Sequence, residues 1–240
     1  MKKTLFILFC LLAFGLTSNA QTSVELGEFN IGISAGSGIS TAWSPDDTDP
    51  IANLHGGVSF TYLARENFFY EFDLLFQRKG YKQVVDMFDY TSTQTFNAYY
   101  MELPITANTL LIMSEKFNAG FTAGVYFAYG VGGKVKVEQK AVANGFLNAL
   151  EDAFSEAGMD IEFETDDEAG VSANSEYDFF GEDGAKRFDF GFRYGFTFGF
   201  FERLRLTLAL DHGFLNNYRG KGGPICRNIA LMGTLSFYFR

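Results

Sequence analysis

Arg187-Phe188-Asp189-Phe190-Gly191-Phe192-Arg193-Tyr194-Gly195-Phe196-Thr197-Phe198-Gly199-Phe200 decides the fold. Every even position is aromatic; every odd position is charged, polar or glycine. Strict period-2 alternation marks a strand with two opposite faces. One face is greasier than a small soluble core needs, and the other carries two arginines and an aspartate. Lipid on one side and a polar lumen on the other would select such a strand.

The pattern recurs along the chain. At 204–210 the leucines 204, 206, 208 and 210 oppose Arg203, Arg205, Thr207, Ala209 and Asp211. At 68–77 Phe68, Tyr70, Phe72, Leu74 and Phe76 oppose Glu71, Asp73 and Gln77. Further strands fall at 99–108, with Glu102 on the polar face, at 117–129 and at 229–239, and weaker ones at 27–36 and 53–63. Eight strands near or above the roughly 9–11 residues needed to cross a bilayer give an all-β, eight-stranded antiparallel up-and-down transmembrane barrel. Connections after strands two, four and six are tight, around 64–67, 111–116 and 201–202. Those after strands one, three, five and seven are long: 37–52, 78–95, 130–186 and 212–227. Short periplasmic turns and longer outer loops would put both termini in the periplasm. Pro104, inside the fourth strand, removes a ladder hydrogen bond and suggests a bulge or a locally unpaired position.

The start of the chain fits export. Lys2-Lys3, an apolar run from Leu5 to Leu16 and Ser18-Asn19-Ala20 read as a secretory signal peptide, residues 1–20, leaving 21–240 as the barrel. Without Lys2 and Lys3 there are 17 basic and 29 acidic residues, a net charge of −12, which argues against nucleic acid. Processing leaves one cysteine, Cys226, and so no internal disulfide.

The third outer loop is the anomaly. From Glu138 to Asp183 it holds 14 acidic residues and one lysine, Lys140. Val142, Phe146, Leu150 and Phe154 have helical spacing, Asn144 could cap and Gly158 could end the helix, so a short amphipathic helix is expected at 143–157. An acidic tail at 160–168 follows. The helix could lie over the mouth as a lid, dock a protein partner, or rest on the outer leaflet. Its acidic polar face favours the first two.

Four segments carry a family resemblance: Tyr70-Glu71-Phe72-Asp73-Leu74-Leu75-Phe76-Gln77-Arg78-Lys79-Gly80, Tyr100-Met101-Glu102-Leu103-Pro104-Ile105, the strand from Gly120 to Tyr129 with its Gly-x-x-x-Gly spacing, and the closing Phe237-Tyr238-Phe239. Across essentially the whole mature chain the sequence resembles the outer-membrane β-barrel "porin family", or PorT-like, proteins of Bacteroidetes. The resemblance implies an outer-membrane barrel inserted by the barrel-assembly machinery, in contact with outer-membrane lipid and lipopolysaccharide. It also accounts for Pro104. Arg240 after Phe239 departs from the family's usual terminal aromatic.

The polar faces offer Glu71, Asp73, Glu102, Arg187, Asp189, Arg193, Arg203, Arg205 and Asp211 as a lumenal network. An eight-stranded barrel is just wide enough for side chains to fill it, and buried charges must pair. The glycines at 191, 195 and 199 would make room for long side chains from facing strands. Catalysis finds little support. The two histidines, His55 and His212, are expected at the outer rim, Asp211 and His212 point to opposite faces, and no Gly-x-Ser-x-Gly exists. Glu162, Glu164, Asp166, Asp167 and Glu168 could hold Ca²⁺ only loosely, and Gly36-Ser37-Gly38 reads as a turn. The expected function is therefore non-enzymatic, without cofactor or metal: a structural or interaction protein of the outer membrane with an acidic outer loop at 138–185 open to a protein partner. The alternatives are a narrow solute channel, a PorT-like role in secretion or assembly, and a soluble lipocalin-like barrel with an apolar lumen.

Overall fold

Alternating faces turn this chain into a closed sheet. The structure, a computed structural model, describes residues 27–44, 47–87, 90–114, 116–142, 164–166, 170–181, 184–201, 203–217 and 226–239. The strands are β1 (Phe29–Trp43), β2 (Asp49–Arg65), β3 (Phe68–Met87), β4 (Tyr90–Met113), β5 (Phe117–Val142), β6 (Glu164–Asp166), β7 (Gly170–Asp178), β8 (Phe188–Phe200), β9 (Leu204–Gly213) and β10 (Arg227–Phe239). Each pairs antiparallel with its neighbours, in the ring β1-β2-β3-β4-β5-β8-β9-β10, and β10 closes onto β1. The eight-stranded up-and-down barrel read from the alternation is the fold observed. Phe192, Tyr194 and Phe196 on β8 are each about half exposed on the outer face, while Asp189, Arg193 and Thr197 on the opposite face are buried.

The two ends of the ring differ. At one end the turns are tight: Glu66–Asn67, residues 114–116 and residues 201–203. The last is tight enough to hold Phe201 at φ 48°, a left-handed conformation seldom taken by a bulky residue. At the other end the first two expected long loops are largely strand, while the connection from Gly213 to Arg227 stays long. β1 and β2 are separated only by residues 44–48, and β3 and β4 only by 88–89. Polar residues continue the alternation in both hairpins, and pairing runs up to Met87↔Tyr90.

The third loop is corrected most. Its first part, through Val142, is the outer half of β5, and it returns as β7, paired from Lys134↔Asp178 to Val142↔Gly170. Asp166 and Glu164 of the expected acidic tail form β6 against β7. The helix expected at 143–157 lies outside the described residues, as does the signal peptide. β4 and β5, at 24 and 26 residues, exceed a membrane-crossing strand by about 13 residues, roughly 40 Å of extended chain. A sheet of β3, β4, β5 and β7 thus projects beyond the ring.

Pro104 pairs with Tyr126 on β5, but pairing toward β3 skips from Phe72↔Ile105 to Leu75↔Glu102 in unchanged register. The missing N–H leaves a local gap there and no bulge.

Candidate functional site: the filled lumen

Period-2 alternation sends one residue in two into the ring, and eight strands bring those side chains within reach of each other. The centre is a four-residue ion cluster contributed by four strands. Lys79 Nζ on β3 donates to Glu102 Oε2 on β4 at 2.5 Å and to Asp211 Oδ2 on β9 at 3.1 Å. Arg193 on β8 donates through Nη2 to Glu102 Oε1 at 2.5 Å and through Nε to Asp211 Oδ1 at 2.7 Å. All four side chains are 5% exposed or less, so each charge is compensated out of water. Lys79 also sits 4.3 Å from the centre of the Tyr126 ring. In the amide orientation that satisfies both its ends, Gln77 donates to Glu102 and accepts from Asn53.

Toward the projecting sheet, Asp189 accepts from Tyr126 Oη at 3.1 Å and Asn228 Nδ2 at 2.8 Å. Gly191 is what admits Tyr126, since a Cβ there would lie 2.7 Å from the ring. Above this layer the mouth is closed by Phe179 and Phe180, 7% and 4% exposed, packed on Tyr100, Tyr126 and Val135. The chain leaving β7 reaches this position because Gly130 has no side chain: a Cβ there would meet the Phe180 ring at 2.1 Å.

Toward the turn end, Ser34 contacts Ser59 and donates to Ser236 at 2.7 Å, and His55 Nε2 shares a hydrogen bond with Thr234 at 2.8 Å. Glu71 accepts from Tyr238 Oη at 2.6 Å, and Arg205, stacked 4.0 Å from the Phe69 ring centre, donates to Tyr238 Oη at 3.0 Å. Asp73 is buried with Oδ1 unbonded among the described residues, beside a void of about 10 Å³ lined by Thr106, Thr122 and Thr207, room for about one water. Below Arg205 the ring opens into a vestibule of about 350 Å³.

Seven of the nine residues expected in the lumen therefore occupy it: Glu71, Asp73, Glu102, Asp189, Arg193, Arg205 and Asp211. Arg187 does not. It lies one residue before β8, donating to Gly130 O at 3.0 Å with its guanidinium 5.1 Å from the centre of the Phe180 ring. Arg203 sits in the turn before β9, where its carbonyl accepts from Tyr238 N. In both cases the sequence alternation extends one residue beyond the strand itself. His55 is in the lumen, not at the rim, because β2 begins at Asp49. His212 packs on the outside, 6.0 Å from Trp43, while Asp211 faces inward. Gly191 makes room as expected and Gly199 does so for Asn118, but Gly195 lies against the backbone of Leu208. Of the acidic run weighed for Ca²⁺, Glu164 and Asp166 lie in β6, and 162, 167 and 168 are outside the described residues. The sequence reading missed Lys79, Phe179 and Phe180. Lys79 had a signal, since it continues the inward series 71, 73, 75, 77.

The apolar-lumen alternative fails on this geometry: the interior is polar and filled, and the greasy face points out. The family model for the outer membrane protein β-barrel domain matches residues 19–219. No curated protein matches the sequence. Among solved structures, the chain is similar to Ail, the attachment invasion locus protein of Yersinia pestis, at 10% identity over 90% of this chain and 100% of that one, TM-score 0.35. The same protein in complex with the heparin analogue sucrose octasulfate gives 12% identity over 88% and 99%, TM-score 0.39. An outer membrane channel from Pseudomonas putida gives 9% identity over 93% and 100%, TM-score 0.27.

Proposed function

The chain belongs to the outer membrane protein β-barrel domain family, and from that premise we propose that it is a non-conducting, non-enzymatic barrel whose projecting sheet is an interaction platform on the cell surface. The observation that carries this reading is the filled lumen. Two aromatic rings and a four-residue ion cluster stand in series across the bore, and the end of the ring where β1 starts and β10 stops lies opposite the cap, the end this reading makes periplasmic. β-Strands continued some 13 residues beyond a membrane crossing extend backbone and side chains away from lipid. That sheet carries Glu138, Glu176 and Asp178 beside Lys82, Lys134 and Lys136, so a partner presenting both signs of charge suits it. The PorT-like resemblance points to a partner in protein secretion or assembly, and insertion would use the barrel-assembly machinery.

Two measurements test the proposal. Refolded protein in planar bilayers should give no unitary current, and steady conductance steps would restore the channel reading, for which the 350 Å³ vestibule is the supporting feature. An epitope inserted between Met87 and Tyr90, at the tip of the β3–β4 hairpin, should bind antibody on intact cells. Binding only after the outer membrane is opened would invert the orientation.

A further inference from the structure

The vestibule at the turn end holds about 350 Å³ that the lumenal network does not fill. Part of its wall is apolar, from Leu63 on β2, Phe69 on β3 and Leu110 on β4. Each continues the inward series of its strand past the last polar residue of the lumen. The polar part centres on Arg205 of β9. An apolar wall with a placed charge is the composition of a small-molecule site.

Arg205 is held in place, yet one edge of it stands open. Its guanidinium carbon lies 4.0 Å from the Phe69 ring centre and 4.7 Å from that of Tyr238. Such contacts fix a planar cation without consuming its N–H groups. Nη1 donates to Tyr238 Oη at 3.0 Å. The Glu71 carboxylate is 3.7 Å from Nη1, too far for a hydrogen bond, and accepts from Tyr238 Oη at 2.6 Å instead. Nε and Nη2 have no acceptor among the described residues. Neither is enclosed: the side chain is 17% exposed, both atoms keep accessible surface, and the residue lines the vestibule. Nε and Nη2 together form the edge that takes both oxygens of a carboxylate at once. Arg193 uses that same edge on Asp211, at 2.7 and 2.9 Å.

We infer that the vestibule binds a small amphiphilic monocarboxylate, its two oxygens on Arg205 Nε and Nη2 and its apolar tail along Leu63, Phe69 and Leu110. A dry cavity of about 150 Å³ holds one benzene, so this one holds roughly twice that, a ligand on the order of twelve non-hydrogen atoms. A guanidinium edge fits phosphate as well as carboxylate. Glu66 on the wall and Glu71 bonded to Tyr238 favour the head with a single negative charge. Lys116, exposed at the rim, draws anions to the opening.

The test is a fluorine NMR titration of the refolded barrel in nanodiscs with para-fluorohydrocinnamate and, as tail-matched controls, the corresponding alcohol and alkyl phosphate. The carboxylate should give a bound signal that saturates at one per barrel, with affinity at least about tenfold above the alcohol. The phosphate should bind more weakly than the carboxylate. Arg205→Lys keeps the charge but loses the paired edge, so it should weaken the carboxylate about tenfold and leave the alcohol unchanged. Leu110→Trp fills the apolar wall and should abolish binding of both. Equal affinities for carboxylate and alcohol, tighter binding of the phosphate, a signal that never saturates and scales with lipid, carboxylate affinity unchanged in Arg205→Lys, or binding that survives Leu110→Trp would each overturn the assignment. If either variant fails to give a heat-modifiable barrel, the other variant and the carboxylate-to-alcohol ratio decide. Neither conductance nor surface exposure enters these readouts, so the site stands or falls apart from the function proposed above.

Discussion

Replacing Lys79 with Met is the sharpest probe of the filled lumen. Lys79 and Arg193 together balance Glu102 and Asp211, and none of the four has appreciable contact with solvent. Met keeps the length of the side chain and removes the charge. Glu102 Oε2 then loses its 2.5 Å donor, Asp211 Oδ2 loses its 3.1 Å donor, and two carboxylates share one guanidinium. Breaking a buried pair from one side costs about 3–5 kcal/mol because the remaining charge is stranded. Adding Glu102→Gln removes the stranded charge. Arg193 keeps its two bonds to Asp211 at 2.7 and 2.9 Å, and the amide oxygen introduced by Glu102→Gln can still accept from Arg193. The double variant should therefore recover most of the loss, to within about 1–2 kcal/mol of the natural protein, a coupling that only a shared network gives. Trp43, the one tryptophan, is about half exposed on the outer face and reports the transfer from lipid to water in urea titrations. A Lys79→Met barrel within about 1 kcal/mol of the natural protein, or a double variant showing the plain sum of the single losses, would mean the cluster does not act as a charge-balanced unit.

Four further outcomes are expected. Asp73→Asn should leave stability unchanged or raise it by about 1 kcal/mol in the same urea titration, because it removes a buried carboxylate whose Oδ1 has no donor among the described residues; a clear loss would reveal a bound partner. Tyr126→Phe should cost about 1–2 kcal/mol through the Asp189 bond it deletes, and removing Asp189 as well should cancel that cost in a double-mutant cycle. Phe180→Ala should cost about 3 kcal/mol of local packing and show as faster amide exchange at Phe179, Ala185 and Lys186 with the rest of the ring protected. The exposed Lys134–Glu176 pair lowers the Glu176 pKa and raises that of Lys134, each chiefly through their mutual hydrogen bond. Its contribution is present above the unfolded carboxylate pKa and fades as pH falls through the depressed folded one, and it fades again as pH rises through the raised lysine pKa. Both groups are in water, so Glu176→Gln should leave the urea midpoint unmoved between those limits.

What the sequence disclosed and what it hid divide along one physical line. Inside the ring the lipid and lumen environments differ so sharply that period 2 is enforced, and β8, β9 and β10 could be read residue by residue. Beyond the membrane both faces of a strand meet water. Thr91-Ser92-Thr93-Gln94 and Lys134-Val135-Lys136-Val137 then look like loop, although the second still alternates and its two valines are buried. Lys79 was lost at that frontier, where Gln77-Arg78-Lys79-Gly80 reads as the end of a strand that in fact continues to Met87. Phe179 and Phe180 were hidden for another reason. Their burial depends on β7 returning along β5 and on the bare backbone of Gly130, contacts nearly 50 residues apart that no local pattern encodes.

The charge tally explains why this lumen is filled in layers. Among the described residues, five carboxylates face inward (Glu71, Asp73, Glu102, Asp189 and Asp211) against three cations, Lys79, Arg193 and Arg205. The two left without a cation partner are treated differently. Asp189, nearest the aromatic cap, receives three donors: the Tyr126 hydroxyl, the Asn228 amide and Phe190 N–H at 2.9 Å. Neutral donors can hold a buried carboxylate when several converge on it. Asp73 lies on the turn-end side of the ion cluster, beside the water-sized void and nearer the vestibule. The interior thus grows drier from the turn-end mouth to the cap, with the vestibule and the water-sized void on the turn-end side of the ion cluster. A conducting pore has no need of that gradient. A barrel that must stay rigid under a projecting sheet does, because the strands that contribute Lys79, Glu102 and Tyr126 are the same β3, β4 and β5 that carry the platform.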